Sequence, residues 1–305
     1  LEPKLELDWS ISVERGDASA QAREIVVEQG RSLCILGPPG TGKSFLVKSL
    51  VKELREKGER VSCVALTHVA AKVIDGQTLA SFCHRYILNG SYTDAWIWCD
   101  EISLLPIATL NLLNMLRHSR VRFILTGDFF QLPPPVDTWC GAVIENNGFA
   151  QSSLLHELCG GNVIHLTTCR RSGGNLYGFY TSLYPGGALS NLSVQDQVKA
   201  AKLAYPRKKN RHCRFNLVIS HTKRQAINKL LWDHHSFGKE LLECALCEEL
   251  VAGVFQGCPL IANLTQKGLI HGQFLEVKSW DEGNLLLQDV ESLENIELPV
   301  AALKT

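Results

Sequence analysis

The stretch that decides the fold runs from residue 37 to residue 44 and reads Gly37-Pro38-Pro39-Gly40-Thr41-Gly42-Lys43-Ser44. It fits the pattern G-x-x-x-x-G-K-[ST], in which glycines let backbone N–H groups turn inward around phosphate oxygens. The apolar run 32–36 precedes it and predicts a strand, and the helical pattern 45–57 follows it. A strand, this loop and a helix together predict a phosphate cradle at a helix N-terminus.

The last two residues of this phosphate loop have separate predicted roles. Lys43 is expected to place its ammonium against the β- and γ-phosphates of a nucleotide, and Ser44 is expected to offer its hydroxyl to Mg²⁺. All eight residues are predicted to line an ATP site: Gly37, Pro38, Pro39, Gly40, Thr41, Gly42, Lys43 and Ser44.

A second candidate site follows the apolar segment 95–99, which predicts a buried strand that ends in Asp100 and Glu101. In a phosphate-loop protein, Asp100 would hold the Mg²⁺ shell and Glu101 would polarise the attacking water. An Asp-Glu pair after a strand is a weak signal alone, but it gains weight downstream of a phosphate loop. We therefore predict that Asp100 is a metal residue and that Glu101 is catalytic.

A third polar cluster begins where the predicted strand 122–126 ends, in the sequence Gly-Asp-Phe-Phe-Gln-Leu-Pro-Pro at 127–134. Gln131, placed beside the phosphate loop, could sense the γ-phosphate. The alternative is a turn that carries a solvated glutamine.

Strands alternate with helices through the first half of the chain. The runs 61–66, 96–99 and 122–126 predict strands, and a helical pattern covers 107–116. This alternation predicts βαβ units and a parallel sheet, hence an α/β fold. The pair Gly160-Gly161 is the predicted break between two domains, 1–160 and 161–305.

The composition excludes several classes of protein. The chain has 305 residues, 45% of them hydrophobic and 20% charged, which argues against disorder and predicts about two domains. Lys plus Arg equals Asp plus Glu, 31 each, so binding of nucleic acid by bulk charge is disfavoured while a local basic groove is not. The dense basic run 207–212 is either a solvated loop or a phosphate-contacting one.

Neither a membrane span nor a secretory signal is predicted, because no apolar run approaches roughly 18 residues and the N-terminus is charged. The 11 cysteines favour a reducing compartment, namely the nucleus, the cytoplasm or a viral replication site. Cys244 and Cys247 form a C-x-x-C pair with only Cys258 nearby, which favours packing over zinc, since tetrahedral zinc needs four ligands.

The order of the three motifs resembles that of superfamily 1 helicases, in particular the RecD-like and PIF-type DNA helicases. That family uses an upstream glutamine to read adenine, and Gln21 stands at this position. The segment Leu-Thr-Thr-Cys-Arg-Arg at 166–171 resembles the family's LxxxxRQ motif, which implies that Arg171 contacts the γ-phosphate from the second domain. The segment 268–272 resembles the GLVNG turn, with His271 in place of Asn.

Two more segments resemble family motifs that touch single-stranded DNA. Residues 66–71 resemble APTxxAA, and residues 76–79 resemble GxTIH, although Ala80 replaces the usual His. The resemblance implies three nucleic-acid contacts: Thr67, His68 and Thr78. Three rings that follow could either stack on bases or pack a helix: Phe82, His84 and Tyr86.

The resemblance implies a P-loop NTPase with two RecA-like domains with parallel sheets, ATP and Mg²⁺ as cofactors, and single-stranded DNA as partner. The family's final HxxQGxT and VALSR-like motifs are not found before Thr305, so we expect an incomplete second domain, in a fragment or a diverged relative. The implied function is a 5′-to-3′ DNA helicase. A viral-type superfamily 1 RNA helicase and a nucleotide-gated binding module without motor activity remain alternatives, and the QLPP ending favours DNA.

Overall fold

A computed structural model describes most of the chain. The described residues are 7–13, 17–87, 90, 92–117, 120–131, 134, 137–139, 142–143, 149–206, 220–242, 253–262, 268–290 and 292–300. They belong to two compact units, Leu1–Tyr205 and Pro206–Thr305. Two features named above lie outside the described residues: the basic run 207–212 and the pair Cys244 and Cys247. The apolar run 217–220 also predicts a strand, and most of it lies outside the described residues.

A seven-stranded sheet forms the centre of the first unit. Its strands are β1 (Ser10–Val13), β2 (Leu33–Leu36), β3 (Val61–Ala65), β4 (Gln77–Thr78), β5 (Trp96–Cys99), β6 (Arg122–Gly127) and β9 (Asn162–His165). Their spatial order is β1-β9-β2-β6-β5-β3-β4, and the neighbours pair in parallel. A short antiparallel hairpin, β7 (Thr138–Trp139) and β8 (Ala142–Val143), lies apart from this sheet. The parallel α/β prediction is confirmed for this unit.

Helices of this unit lie between these strands, and the last two of the helices follow β9. They are α1 (Ala18–Arg23), α2 (Lys43–Glu56), α3 (His68–Val73), α4 (Leu79–Phe82), α5 (Ile107–Arg117), α6 (Ser153–Cys159), α7 (Gly174–Thr181) and α8 (Val194–Ala204). Helices α1 and α4 continue as π-helical turns over Glu24–Glu28 and Cys83–Ile87, and 3₁₀ turns cover Ile102–Leu104 and Phe149–Gln151.

Two apolar clusters bury the sheet on both faces. Leu33 and Ile35 of β2 belong to the cluster that includes α2, whereas Cys34 and Leu36 belong to the cluster that includes α5 and α6. Because both faces are covered, the central strands read as continuous apolar runs, and β2 and β5 are buried throughout.

The domain boundary predicted at residue 160 is corrected by the structure. Strand β9 pairs in parallel with β1 and with β2, so the first unit continues past the glycine pair to Tyr205. Gly160 ends α6 in the left-handed conformation, and a Cβ at Gly161 would lie 2.6 Å from the carbonyl oxygen of Asp8. The two glycines therefore form a tight turn inside one fold rather than a linker.

The second unit contains α9 (His221–Ser236) and a four-stranded sheet in the order β10-β11-β12-β13. These strands are β10 (Pro259–Ile261), β11 (Phe274–Trp280), β12 (Asn284–Asp289) and β13 (Asn295–Pro299), and they pair antiparallel over a small apolar core. The described sheet therefore differs from the parallel sheet expected for a second RecA-like domain. The connections after β11 and β12 are hairpins, too short for the crossover that parallel neighbours need.

Across the described parts of both units, no helix combines the length and the apolar character needed to cross a membrane.

Candidate functional site

The phosphate loop connects β2 to α2 and is shaped by close backbone contacts. A Cβ at Gly37 would lie 2.4 Å from the carbonyl oxygen of Leu166, and one at Gly40 would lie 2.9 Å from Cβ of Arg171. Gly42, at φ 90°, precedes the first turn of α2, which has no side-chain cap. Since helix N-termini carry unpaired N–H groups and a partial positive charge, this turn can bind an anion.

Lys43 is held inside this loop. Its Nζ donates to the carbonyl oxygens of Gly37, at 2.6 Å, and Pro38, at 3.2 Å. Burial lowers the pKa of Lys43, the charge of Arg171 acts in the same direction, and nearby carboxylates oppose both, Asp128 most strongly. Two cations thus lie near each other at the loop, an arrangement that a polyanionic ligand would stabilise.

The structure brings together Ser44 and Asp100, the two residues that the sequence analysis assigned to the metal. Ser44 Oγ donates to Oδ2 of Asp100 at 3.1 Å, across the gap between α2 and the carboxyl end of β5. The other oxygen, Oδ1, accepts from Thr126 Oγ1 at 2.5 Å and from the backbone N–H of Glu101 at 3.0 Å. Asp100 is buried.

Glu101 has a left-handed backbone, with φ 57° and ψ 42°. This conformation is unfavourable for a residue with a Cβ and costs on the order of 1–3 kcal/mol, so it persists only where the surroundings impose it. Burial and the charge of Asp100 raise the pKa of Glu101, while Lys43 opposes the change. Glu101 therefore interacts electrostatically with both Asp100 and Lys43.

Gln131 reaches the site through Asp128, a residue to which the sequence analysis gave no role. Asp128 is only 3% exposed, and its Oδ2 accepts from Gln131 Nε2 at 3.4 Å and from Tyr184 Oη at 2.7 Å. Its Oδ1 accepts from the backbone N–H of Phe130. The signal that could have revealed Asp128 is its position directly after a buried strand, where a carboxylate needs partners.

Tyr184 could not be found from the sequence, because it lies far along the chain from Asp128. It follows α7, whose Tyr180 Oη donates to the carbonyl oxygen of Pro39 in the phosphate loop at 2.6 Å. Burial raises the pKa of Tyr184, and the bond to Asp128 adds to the shift. The region that includes α7 therefore contacts both the phosphate loop and the Asp128–Gln131 turn.

Arg171 reaches the phosphate loop from the first compact unit, not from a second domain as the resemblance implied. Strand β9 lies parallel to β2, so both strands end at the same edge of the sheet and the segment after β9 meets the loop. Within that segment, the N–H of Leu166 donates to Leu36 O at 2.8 Å, and the N–H of Arg170 donates to Gly40 O at 2.7 Å. These bonds hold the segment that carries Arg171 against the phosphate loop, so Arg171 approaches the loop from within the first unit.

Among the described residues, Gln21 makes no hydrogen bond to the phosphate loop. It is exposed on α1, and its Oε1 accepts from Ser12 Oγ on edge strand β1 at 3.0 Å. A role for Gln21 in reading adenine remains a prediction.

The predicted nucleic-acid contacts lie at the carboxyl ends of β3 and β4, where Ala65 and Thr78 are paired. Thr67 is exposed and caps α3 by accepting from the N–H of Ala70 at 3.2 Å, and exposed His68 follows it. Thr78 is mostly buried and caps α4 by accepting from the N–H of Ser81. Thr67 and His68 are thus accessible, whereas Thr78 is largely enclosed.

Phe82 is fully buried and packs against Tyr86 and Tyr92, with ring centroids 5.3 and 5.2 Å away. It therefore packs the helix, and the base-stacking alternative is wrong for this ring. His84 is exposed and Tyr86 is partly exposed.

A metal at this edge of the sheet would need ligands from outside the protein. Among the described residues, no group of three or more His, Cys, Asp or Glu side chains could hold an ion. Ser44 Oγ and Asp100 Oδ2 offer oxygen ligands only. This set suits Mg²⁺, which binds through one or two carboxylates, substrate phosphates and retained waters.

The chain is similar in sequence to known proteins. A model of the AAA domain matches residues 17–151. The ATP-dependent DNA helicase PIF1 of Emericella nidulans is 32% identical over 140 residues, which cover 36% of this chain and 19% of that protein. The ATP-dependent DNA helicase Pif1 of Bdellovibrio bacteriovorus is 29% identical over 177 residues, which cover 47% of this chain and 40% of that protein. The matches thus span less than half the length of these relatives.

Solved structures show the same fold at low identity. Pif1 helicase from Candida albicans superposes with a TM-score of 0.64 and 18% identity, covering 93% of this chain and 77% of that one. Bacteroides Pif1 bound to ssDNA superposes with a TM-score of 0.63 and 15% identity, and the match covers 93% of this chain and 74% of that one. Together these matches confirm the resemblance to superfamily 1 P-loop helicases of the Pif1 type that the motifs indicated.

Proposed function

We propose that this chain, a relative of the Pif1-type superfamily 1 helicases, contains the ATP-hydrolysing core of a DNA helicase that couples hydrolysis to translocation on single-stranded DNA. The observation that carries the proposal is the meeting of Lys43, the Ser44–Asp100 pair, Glu101 and Arg171 at one edge of the parallel sheet. These residues supply the parts that phosphoryl transfer needs, namely a phosphate cradle, a metal shell, a water-orienting carboxylate and extra positive charge.

In this proposal the phosphate loop and Lys43 bind ATP. The Lys43 ammonium donates to two loop carbonyls, and phosphate oxygens would replace these neutral acceptors with charged ones. An ammonium paired with a phosphate oxygen gains the attraction between opposite charges, which a neutral carbonyl does not provide. Binding ATP would therefore compensate the cost of holding Lys43 near Arg171.

Ser44 and Asp100 would hold Mg²⁺, which supplies positive charge against the phosphate oxygens when bound. Glu101 would orient the attacking water and accept its proton. A raised pKa makes a carboxylate a stronger base, so burial of Glu101 favours this role. Arg171 and Lys43 would neutralise charge that develops on the γ-phosphate.

Gln131 would report the state of the γ-phosphate to the rest of the unit. It is bonded to Asp128, and Asp128 is bonded to Tyr184, so a shift of Gln131 has a direct path to the chain beyond α7. The single-stranded DNA held by Bacteroides Pif1 supports a DNA partner here. Thr67 and His68 are the accessible candidates for its phosphates. Movement from 5′ to 3′ follows from the family resemblance.

The experiment that tests the proposal measures ATP hydrolysis by the chain with and without single-stranded DNA, and unwinding of matched DNA and RNA forks. We expect hydrolysis that DNA stimulates and unwinding of the DNA fork. Hydrolysis without any response to DNA would contradict the helicase assignment while leaving the nucleotide site intact. Preferential unwinding of the RNA fork would contradict the choice of substrate.

We also propose that the protein functions in a reducing compartment. The cysteines that the structure describes are free thiols, and all but Cys169 are buried. Buried thiols of this kind contribute packing as small apolar groups rather than cross-links.

A further inference from the structure

A chain of three buried side chains ends on Asp100. Trp98 Nε1 lies 3.1 Å from Thr126 Oγ1, and Thr126 Oγ1 lies 2.5 Å from Asp100 Oδ1. Trp98 is on β5, Thr126 is on the neighbouring strand β6, and both are at most 1% exposed. Water therefore has little access to Trp98 and Thr126. We call the series of hydrogen bonds from Trp98 through Thr126 to Asp100 the Trp–Thr relay.

The direction of each bond in the relay is fixed by chemistry. An indole N–H can only donate, so the Thr126 oxygen must accept from Trp98. The threonine proton then remains for Asp100 at 2.5 Å, or for the carbonyl of Cys99 at a longer 3.4 Å. The shorter contact, to a carboxylate acceptor, is the stronger one.

The relay leaves the two oxygens of Asp100 in different situations. Oδ1 accepts from Thr126 and from the backbone N–H of Glu101, whereas Oδ2 accepts only from Ser44 within the part of the chain that the structure describes. Because two donors hold Oδ1, the carboxylate cannot rotate without breaking both bonds. Oδ2 is thereby kept toward the phosphate loop.

We propose that Thr126, fixed by Trp98, is a positioning residue that holds Asp100 in the orientation required to bind the metal of a metal–nucleotide complex. The inference rests on the proposed nucleotide function, because it assigns a purpose to the orientation of Asp100. Neither Thr126 nor Trp98 touches the ligand; both act through the carboxylate. Partners of this kind around metal ligands typically change metal affinity about 10- to 100-fold when they are replaced.

The test compares Thr126→Val, Thr126→Ser and Trp98→Phe in the full chain. Valine keeps the shape of threonine but removes its proton, serine keeps the hydroxyl, and phenylalanine removes the indole donor. The readout is binding of Mn²⁺ in the presence of a non-hydrolysable ATP analogue, followed by electron paramagnetic resonance. Binding of the same analogue in EDTA is measured in parallel.

A matched control is available in the same sheet. Ser62 Oγ on β3 donates to Asp94 Oδ2 at 2.7 Å, a hydroxyl–carboxylate bond that lies away from the phosphate loop. Ser62→Ala should leave Mn²⁺ binding unchanged. Any general loosening of the sheet from loss of such a bond would appear in this variant as well.

We expect Thr126→Val to weaken Mn²⁺ binding about tenfold or more, with affinity for the analogue in EDTA unchanged. Thr126→Ser should keep wild-type Mn²⁺ affinity. The affinity of Trp98→Phe should fall between those of the wild type and Thr126→Val, because the Thr126 hydroxyl then loses the indole donor that holds its oxygen in place. Wild-type Mn²⁺ affinity in Thr126→Val, or equal loss of analogue binding with and without metal, would overturn the inference. If Thr126→Val does not fold, unchanged Mn²⁺ affinity in folded Trp98→Phe overturns it.

The wild-type measurement separates this inference from the proposed function. Absence of metal-dependent analogue binding in the wild-type chain would contradict the nucleotide site itself and the inference with it. Wild-type binding combined with insensitivity to Thr126→Val would contradict the inference alone.

Discussion

The two halves of the carboxyl edge of the seven-stranded sheet hold their polar side chains in different ways. At the nucleotide edge, formed by the ends of β2, β5, β6 and β9, carboxylates are bound by side chains from distant parts of the chain, as Tyr184 binds Asp128. At the threonine edge, formed by the ends of β3 and β4, Thr67 and Thr78 bind backbone N–H groups three residues further on.

This difference separates tertiary from local organisation. Bonds at the nucleotide edge form only after several strands have assembled, so each residue there depends on the others, and non-additive effects are expected between them. Bonds at the threonine edge are helix caps, which form with the helix itself. We therefore expect substitutions at the first edge to change chemistry strongly, and substitutions at the second to change local stability and ligand contacts separately.

The largest effect is expected for Lys43→Ala. The change removes the half-buried ammonium that the two loop carbonyls hold, so ATP hydrolysis should be abolished while the fold is retained. Hydrolysis assays and circular dichroism check both parts. Lys52→Ala, which alters an exposed lysine of the same helix, should hydrolyse ATP normally. Turnover in Lys43→Ala at the wild-type rate would remove the phosphate loop from the mechanism.

The next effect is that of Glu101→Gln. The substitution keeps the size of the side chain but removes the base, so hydrolysis should fall by about two orders of magnitude or more while ATP still binds. Measuring the equilibrium affinity for ATP together with the rate of turnover distinguishes a loss of binding from a loss of catalysis. A collapse of nucleotide affinity would instead make Glu101 a structural or metal-binding residue.

The wild type and Glu101→Gln should also differ in how their stability and activity depend on pH. Since the pKa of Glu101 is raised in the folded protein, its ionisation opposes folding, and the wild type should lose stability relative to Glu101→Gln as pH rises through that pKa. Hydrolysis needs the ionised form, so its acidic limb should lie above the ordinary glutamate pKa of about 4.3. Denaturant unfolding at several pH values checks the sign; a stability difference independent of pH would contradict it.

A smaller effect is expected for Tyr184→Phe. It removes the hydroxyl bonded to Asp128, worth about 1 kcal/mol, so ATP hydrolysis should fall roughly fivefold as Gln131 loses its fixed partner. The KM for ATP should change little, because the phosphate loop is unaltered. Tyr205→Phe removes a more exposed hydroxyl from the same unit and should have no effect. Equal rates in the two variants would show that Asp128 does not need Tyr184.

The smallest effects are expected at Thr67. Thr67→Ala removes the cap of α3 and should lower the free energy of unfolding by about 1 kcal/mol. Thr67→Asp keeps a capping oxygen but adds a negative charge, so stability should be retained while affinity for single-stranded DNA falls. Titrations with labelled DNA at several salt concentrations measure the second part. Unchanged affinity in Thr67→Asp would place the DNA elsewhere.

Local patterns predicted the elements well. The strand expected at 96–99 is β5, the helix expected at 107–116 is α5, and the expected strand 122–126 lacks only Gly127 of β6. Apolar periodicity, glycine and charge act over a few residues, so a short window of sequence contains the information. In the second unit the apolar runs 259–263 and 274–277 also predict strands, and β10 and β11 begin at these positions. The resemblance implied a parallel sheet there, whereas the described strands pair antiparallel.

The errors share a physical cause, which is that they concern partners far apart in the chain. Nothing around Gly160 shows that β9 inserts between β1 and β2, because a parallel strand is recruited by hydrogen bonds to strands that lie elsewhere in sequence. The same holds for Arg171, which reaches the phosphate loop only because β9 ends beside it. Position in the chain suggested a separate domain, and strand order decided otherwise.

By itself, the sequence determined the chemistry available to this protein: the phosphate loop with Lys43, the Asp100–Glu101 pair and the α/β character of the first unit. Each depends on residue types at short spacing, which local geometry converts directly into a loop, a strand end or a helix start. Only the tertiary structure decided which partners hold these groups, among them Thr126 on Asp100 and Tyr184 on Asp128. Burial makes those partners necessary, because a carboxylate removed from water must be bonded, and the packing of distant segments determines which donor is within reach.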